Sequence, residues 1–189
     1  MQLHLQKTSI MKRFIILSIL LISNFFIVFS QQQRTACYIG LNPSVTVEPF
    51  YDKGELDLNI FPLVYQKTIT DRIDFRFSTI LNYGIRNTTN EISHFGGQIA
   101  FPIFLKKKDD LSSPSKGFFC APGMGLTRNM IEDHTNIGFW LEPGYNMMMS
   151  DKWSITFGIQ LGATHFDYDN GSQKWDNHFG MKIVFGCWI

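Results

Sequence analysis

From residue 37 to the C-terminus, apolar and polar side chains alternate at period two, and that pattern excludes most folds. A β-strand turns successive side chains to opposite faces, so strict alternation means one apolar and one polar face. In 37–49 the odd positions are Cys37, Ile39, Leu41, Pro43, Val45, Val47 and Pro49. The even ones are Tyr38, Gly40, Asn42, Ser44, Thr46 and Glu48. The last segment, 178–189, sets Phe179, Met181, Ile183, Phe185, Cys187 and Ile189 against His178, Gly180, Lys182, Val184, Gly186 and Trp188. Segments 137–147 and 153–166 split as cleanly, and 56–68, 74–86, 92–105 and 117–128 do so with more noise. No helical period competes with these runs.

Eight such segments predict an all-β fold, an eight-stranded antiparallel up-and-down transmembrane β-barrel. An even count fits, and strands of about 9–11 residues suffice to cross a bilayer at a tilt. The connections 68–73, 106–116 and 150–152 then fall at one end, read as periplasmic. Those at 51–55, 87–91, 129–134 and 167–177 fall at the other. The charged run Lys106-Lys107-Lys108-Asp109-Asp110 reads as a solvated connector. Pro43, Pro49, Pro62, Pro102, Pro122 and Pro143 sit inside the expected strands, where proline cannot donate to a ladder, so bulges or shorter strands must absorb them.

Upstream, Lys12 and Arg13 precede an apolar stretch over 14–29, and Val28 and Ser30 hold the −3 and −1 positions before Gln31. This predicts a secretory signal peptide over 1–30, with Met11 as the start, and a barrel domain over 31–189. The stretch is shorter than the ~20 residues that a transmembrane helix needs. A net charge of +1 gives no electrostatic case for nucleic acid.

A signal peptide, eight alternating strands and a final strand carrying aromatics up to Trp188 resemble the small outer-membrane β-barrel proteins of Gram-negative bacteria, the OmpA/OmpX-type domains. Ile189 stands where such strands commonly end in an aromatic. The resemblance covers 35–189 and implies a cell outer membrane protein with outer-membrane lipid around it. It further implies the barrel-assembly machinery as a partner in biogenesis and a non-enzymatic structural or surface-interaction role. It names no surface partner. A secreted lipocalin-like barrel binding a small apolar ligand is the rival, with the apolar faces turned inward. An outer-membrane lipid-modifying enzyme is a third reading. Lipid A deacylases carry a His-x-Ser pair, and here the residue two places after each histidine is Gln6, Gly96, Asn136, Asp167 or Gly180. Palmitoyl-transfer barrels use a His and a Ser from rim loops, which His134 and Ser172 could supply.

No catalytic residue, cofactor or metal ligand is therefore expected. Asp167-Tyr168-Asp169-Asn170-Gly171 clusters oxygen ligands but lacks the EF-hand spacing and reads as a turn. Trp153 and Tyr145 at one end of the apolar band, and Tyr83 and Phe95 at the other, could form interfacial girdles. Cys37, Cys120 and Cys187 show no zinc spacing. Cys37 and Cys187 lie on strands that become neighbours on closure and share a parity, so they form a candidate disulfide with Cys120 unpaired. Inside the barrel, Glu142 and Lys182 share the polar parity and a similar depth, which predicts one ion-pair network extended by Gln160. Glu48 and Arg86 form a second candidate pair.

Overall fold

A computed structural model describes residues 35–46, 53–87 and 90–189 of this chain. The expected signal peptide over 1–30, its Met11 start and Gln31 cleavage point, and Glu48 and Pro49 lie outside the described residues. Every regular element among those described is a β-strand. In order these are β1 (Cys37–Leu41), β2 (Val45–Thr46), β3 (Leu56–Asn59), β4 (Leu63–Thr68), β5 (Asp74–Ile85) and β6 (Asn90–Ala100). They continue with β7 (Ile103–Phe104), β8 (Gly117–Asn129), β9 (His134–Met148), β10 (Trp153–Tyr168) and β11 (Gln173–Trp188).

Eleven segments make eight staves, because β1/β2, β3/β4 and β6/β7 are each one expected strand cut in two. The cuts hold Pro43, Pro62 and Pro102, none of which has an N–H to give. Pro122 and Pro143 stay within β8 and β9. Phe101 N–H donates to the Pro122 carbonyl at 2.9 Å, and Pro122 has nothing to return. Pairing between β9 and β10 lapses opposite Pro143, between Gly158↔Gly144 and Leu161↔Leu141, without loss of register. The prolines are thus spread over local gaps in the ladder.

Each stave pairs antiparallel with the next, and β1 pairs with β11 from Tyr38↔Trp188 to Leu41↔Phe185, which closes the barrel. Two connections depart from expectation. The expected outer loop 167–177 is a short turn, because β10 and β11 keep pairing up to Asp167↔Gln173. Residues 173–177 are exposed on both faces, so no burial pattern marks them. Backbone pairing and contacts such as His165 against Trp175, ring centroids 4.9 Å apart, hold them instead. The charged run at 106–110 is not a freely solvated connector either. Its chain folds back under the barrel, where Ala36 N–H donates to the Leu111 carbonyl at 2.8 Å and Lys108 N–H to the Asp71 carbonyl at 2.9 Å. The Lys108 side chain is only 4% exposed.

The burial of the two faces is inverted relative to a soluble barrel. Phe179 and Met181 are 74% and 70% exposed, and Ile39, Leu41, Phe95, Phe118, Phe139, Leu141, Phe157, Ile159 and Leu161 also point outward. Inside stand Asp57, Asp74, Arg76, Ser78, Glu142, Gln160 and Lys182, all buried. Among the described residues, apolar packing inside gathers in two clusters, Ala36, Tyr38, Val64, Val184 and Trp188, and Ala100, Phe104, Phe119 and Ala121, with Trp140 buried apart from both against His178.

Candidate functional site

The inward parity of four staves brings opposite charges together at the barrel's centre. Glu142 of β9 is 0% exposed, Arg76 of β5 is 2% and Lys182 of β11 is 3%. Arg76 Nη2 donates to Glu142 Oε1 in a direct ion pair. Gln160 Nε2 of β10 donates to Glu142 Oε2 at 3.0 Å, and Lys182 Nζ stands 3.8 Å from the same oxygen. Lys182 also donates to Gln98 Oε1 at 3.3 Å, and the ring of His178 reaches Gln160 Oε1 through Nε2 at 3.3 Å. A Cβ at residue 158 would lie 2.6 Å from Glu142 Oε1, so glycine there gives the carboxylate its room.

Glu142, Lys182 and Gln160 therefore meet, as their parity and depth suggest. The sequence reading missed Arg76, the closest partner of all. The signal was available, since Asp74, Arg76 and Ser78 alternate with Phe75 and Phe77. A narrow interior penalises a lone charge, and so favours packing these groups in reciprocal pairs.

Arg86 sits elsewhere. Its Nη2 donates to Asp57 Oδ1 at 2.8 Å, and its Nε is 3.9 Å from Glu55. His94 Nδ1 lies 3.1 Å from Asp57 Oδ2 and 3.2 Å from Ser93 Oγ. A serine, a histidine and an aspartate thus converge, but not as a catalytic relay. In that relay the carboxylate holds one ring nitrogen and the serine the other, whereas here both meet Nδ1. Adjacent Ser93 and His94 both face inward because the β5–β6 register shifts between Asn82 and Tyr83. Such a bulge breaks the alternation, which hid this cluster from a reading by parity.

A second unforeseen cluster closes the end formed by 69–73, 105–116 and 149–152. Asp74 accepts from Gln66 Nε2 at 2.7 Å, from Lys108 Nζ at 3.0 Å and from Ser115 Oγ. Lys108 also donates to Thr68 Oγ1 and lies 5.6 Å from the Trp188 ring centroid. Burial lowers the Lys108 ammonium below the ordinary lysine range, against the opposing pull of Asp74.

Cys37 exchanges backbone bonds with Ile189 at 3.2 and 2.7 Å, while Cys187 lies opposite Ile39. All three cysteines are free, which corrects the Cys37–Cys187 bridge: the register sets the two thiols diagonally, two residues out of step. His134 is buried against Phe166 and Tyr168 and lies 3.6 Å from Glu132. Ser172 Oγ donates to Asn170 Oδ1 at 2.6 Å within the β10–β11 turn. Both Asp169 oxygens accept from Arg128, at 2.7 and 2.6 Å, and this holds the Asp169 carboxyl below its ordinary range. Asp167 and Tyr168 belong to β10, and the turn itself runs over 169–172 with Gly171 at φ +83°.

Comparison with protein-family models, with curated proteins and with solved structures finds no match. The class of this chain rests on its own geometry, a closed eight-stranded antiparallel barrel.

Proposed function

We propose that this chain is an integral barrel of a Gram-negative outer membrane, non-enzymatic, with a structural or surface-interaction role. One observation carries this reading: large apolar side chains face outward around the wall while ionisable ones are buried inside. A soluble monomer rarely exposes a contiguous apolar patch beyond about 300–600 Å². Here exposed apolar residues run from Ile39 and Leu41 on β1, through Phe77, Phe95, Leu126, Leu141 and Leu161, to Met181 on β11. Each half-exposed Phe, Leu, Ile or Met leaves on the order of 1 kcal/mol unrealised in water. Hydrocarbon around the wall realises it, and closure leaves no backbone edge for lipid to meet.

The lipocalin-like reading needs an apolar cup, and the centre of this interior holds Arg76, Glu142, Gln160 and Lys182 instead. A filled interior also fits an eight-stranded barrel, which has just enough room for its own side chains. Outward Trp153 and Tyr145 at one end and Phe95 at the other suit the girdles of a membrane band.

Membrane fractionation joined to a heat-modifiability gel tests this. The protein should sediment with the outer membrane, resist carbonate extraction, require detergent for release, and migrate faster unboiled than boiled. Recovery in the soluble fraction, with no shift on boiling, would sink the proposal.

A further inference from the structure

A cleft of about 260 Å³ opens between the 105–116 connection and the β9–β10 turn. Two lysines of its wall are already engaged, Lys107 with Asp71 at 2.8 Å and Lys108 with Asp74 at 3.0 Å. Lys106, Lys116, Asp109 and Asp151 also line it, and among the described residues these four make no ion pair or side-chain hydrogen bond. The cleft therefore offers two exposed cations and two exposed anions that no other side chain among the described residues engages.

The residues next along the chain are apolar and stand outside the cleft's own lining. Leu105 adjoins Lys106, and its N–H donates to the Phe118 carbonyl at 2.9 Å. Met149 adjoins Ser150, and its N–H donates to the Trp153 carbonyl at 2.8 Å. All four of these apolar side chains are well exposed on the outer wall. A ligand that satisfies both surfaces has a headgroup of two opposite charges and a hydrocarbon tail. A purely anionic headgroup would serve the lysines but set like charge against Asp109 and Asp151. A quaternary ammonium has no N–H to donate to a carboxylate, whereas a primary ammonium has three.

We propose that this cleft seats the headgroup of a phosphoethanolamine-bearing membrane phospholipid. Its phosphate lies at Lys106 and Lys116, its ammonium at Asp109 and Asp151, and its acyl chains along Leu105 and Phe118. The inference rests on the membrane reading given above, and adds to it a lipid class and an address.

The test is native mass spectrometry of the detergent-folded protein with equimolar phosphatidylethanolamine, phosphatidylglycerol and phosphatidylcholine. One phosphatidylethanolamine should be retained about tenfold over either competitor, the scale of a charge-assisted hydrogen bond. Lys106→Gln with Lys116→Gln should abolish retention of all three lipids. Asp109→Asn with Asp151→Asn should lower phosphatidylethanolamine to the phosphatidylcholine level. Soluble phosphoethanolamine at the same concentration should not displace the lipid. Equal retention of the three lipids, variants matching the wild type, or displacement by the soluble headgroup would each overturn the assignment. Heat-modifiability on the same samples separates the two claims. A shifting barrel without lipid preference removes the headgroup site alone, and a chain that does not shift removes the membrane reading and this site with it.

Discussion

Arg76 and Glu142 set the energetics at the scale of single residues, since an ion pair this deep costs most when only one partner is removed. Arg76→Met should destabilise the barrel by about 3–5 kcal/mol, because the buried Glu142 loses its direct partner. Lys182→Met should cost less, since Nζ is 3.8 Å from the carboxylate and closer to Gln98 at 3.3 Å. Double-mutant cycles with Glu142→Gln, read by urea unfolding in detergent, should give the larger coupling to Arg76. A larger coupling to Lys182, or none to either, would contradict the geometry. Gly158→Ala drives a methyl against the Glu142 carboxylate and should cost about 1–3 kcal/mol in the same assay. At the closed end, Lys108→Met takes from the buried Asp74 its cation and leaves it only Gln66 and Ser115, which should cost about 3 kcal/mol, partly recovered by adding Asp74→Asn. Tryptophan fluorescence should report the change as well, because Lys108 lies over Trp188. An unaltered midpoint and spectrum would mean that the 105–116 connection does not close the barrel in solution.

For the strands, register decides what composition cannot. The β1–β11 seam spans Tyr38↔Trp188 to Leu41↔Phe185, and within it Cys187 faces Ile39 rather than Cys37. Directly opposed antiparallel residues have Cα atoms about 5.5 Å apart, inside the disulfide range. Ile39→Cys should therefore cross-link to native Cys187 on oxidation. The boiled, non-reduced band should then run ahead of the reduced one, and peptide mapping should find the 39–187 bridge. Cross-linking of wild-type Cys37 to Cys187 with none in the variant would show the register to be shifted by two. The strand positions themselves were largely legible, since all eight runs of alternation fall on staves. The proline cuts were foreseeable in kind, because a missing N–H breaks a ladder wherever it falls. The extra length of β10 and β11 was not, because residues exposed on both faces carry no periodicity.

Taken as a whole molecule, the barrel owes its coherence to one inversion, charge inside and hydrocarbon outside. Each stave alone is an ordinary amphipathic strand. Only closure turns eight polar faces toward one another, so that charges distant in sequence must neutralise one another or be hydrated. The same closure turns eight apolar faces outward into a continuous band, the basis of the fractionation outcome expected above.

The sequence by itself determined the strand count, the two faces and the parity of Glu142, Gln160 and Lys182, because side-chain alternation is a local property of the extended chain. Tertiary structure alone decided the charge pairings that parity did not suggest. Arg76 reaches Glu142 across the lumen, Arg86 turns to Asp57, and Lys108 enters the barrel's end to meet Asp74. It also decided that Cys37 and Cys187 miss each other, because the stagger of a closed sheet is a collective property of all the staves. The Ser93–His94 cluster depended on a single bulge between β5 and β6, where one extra residue turns the next side chain inward against the parity of its own strand.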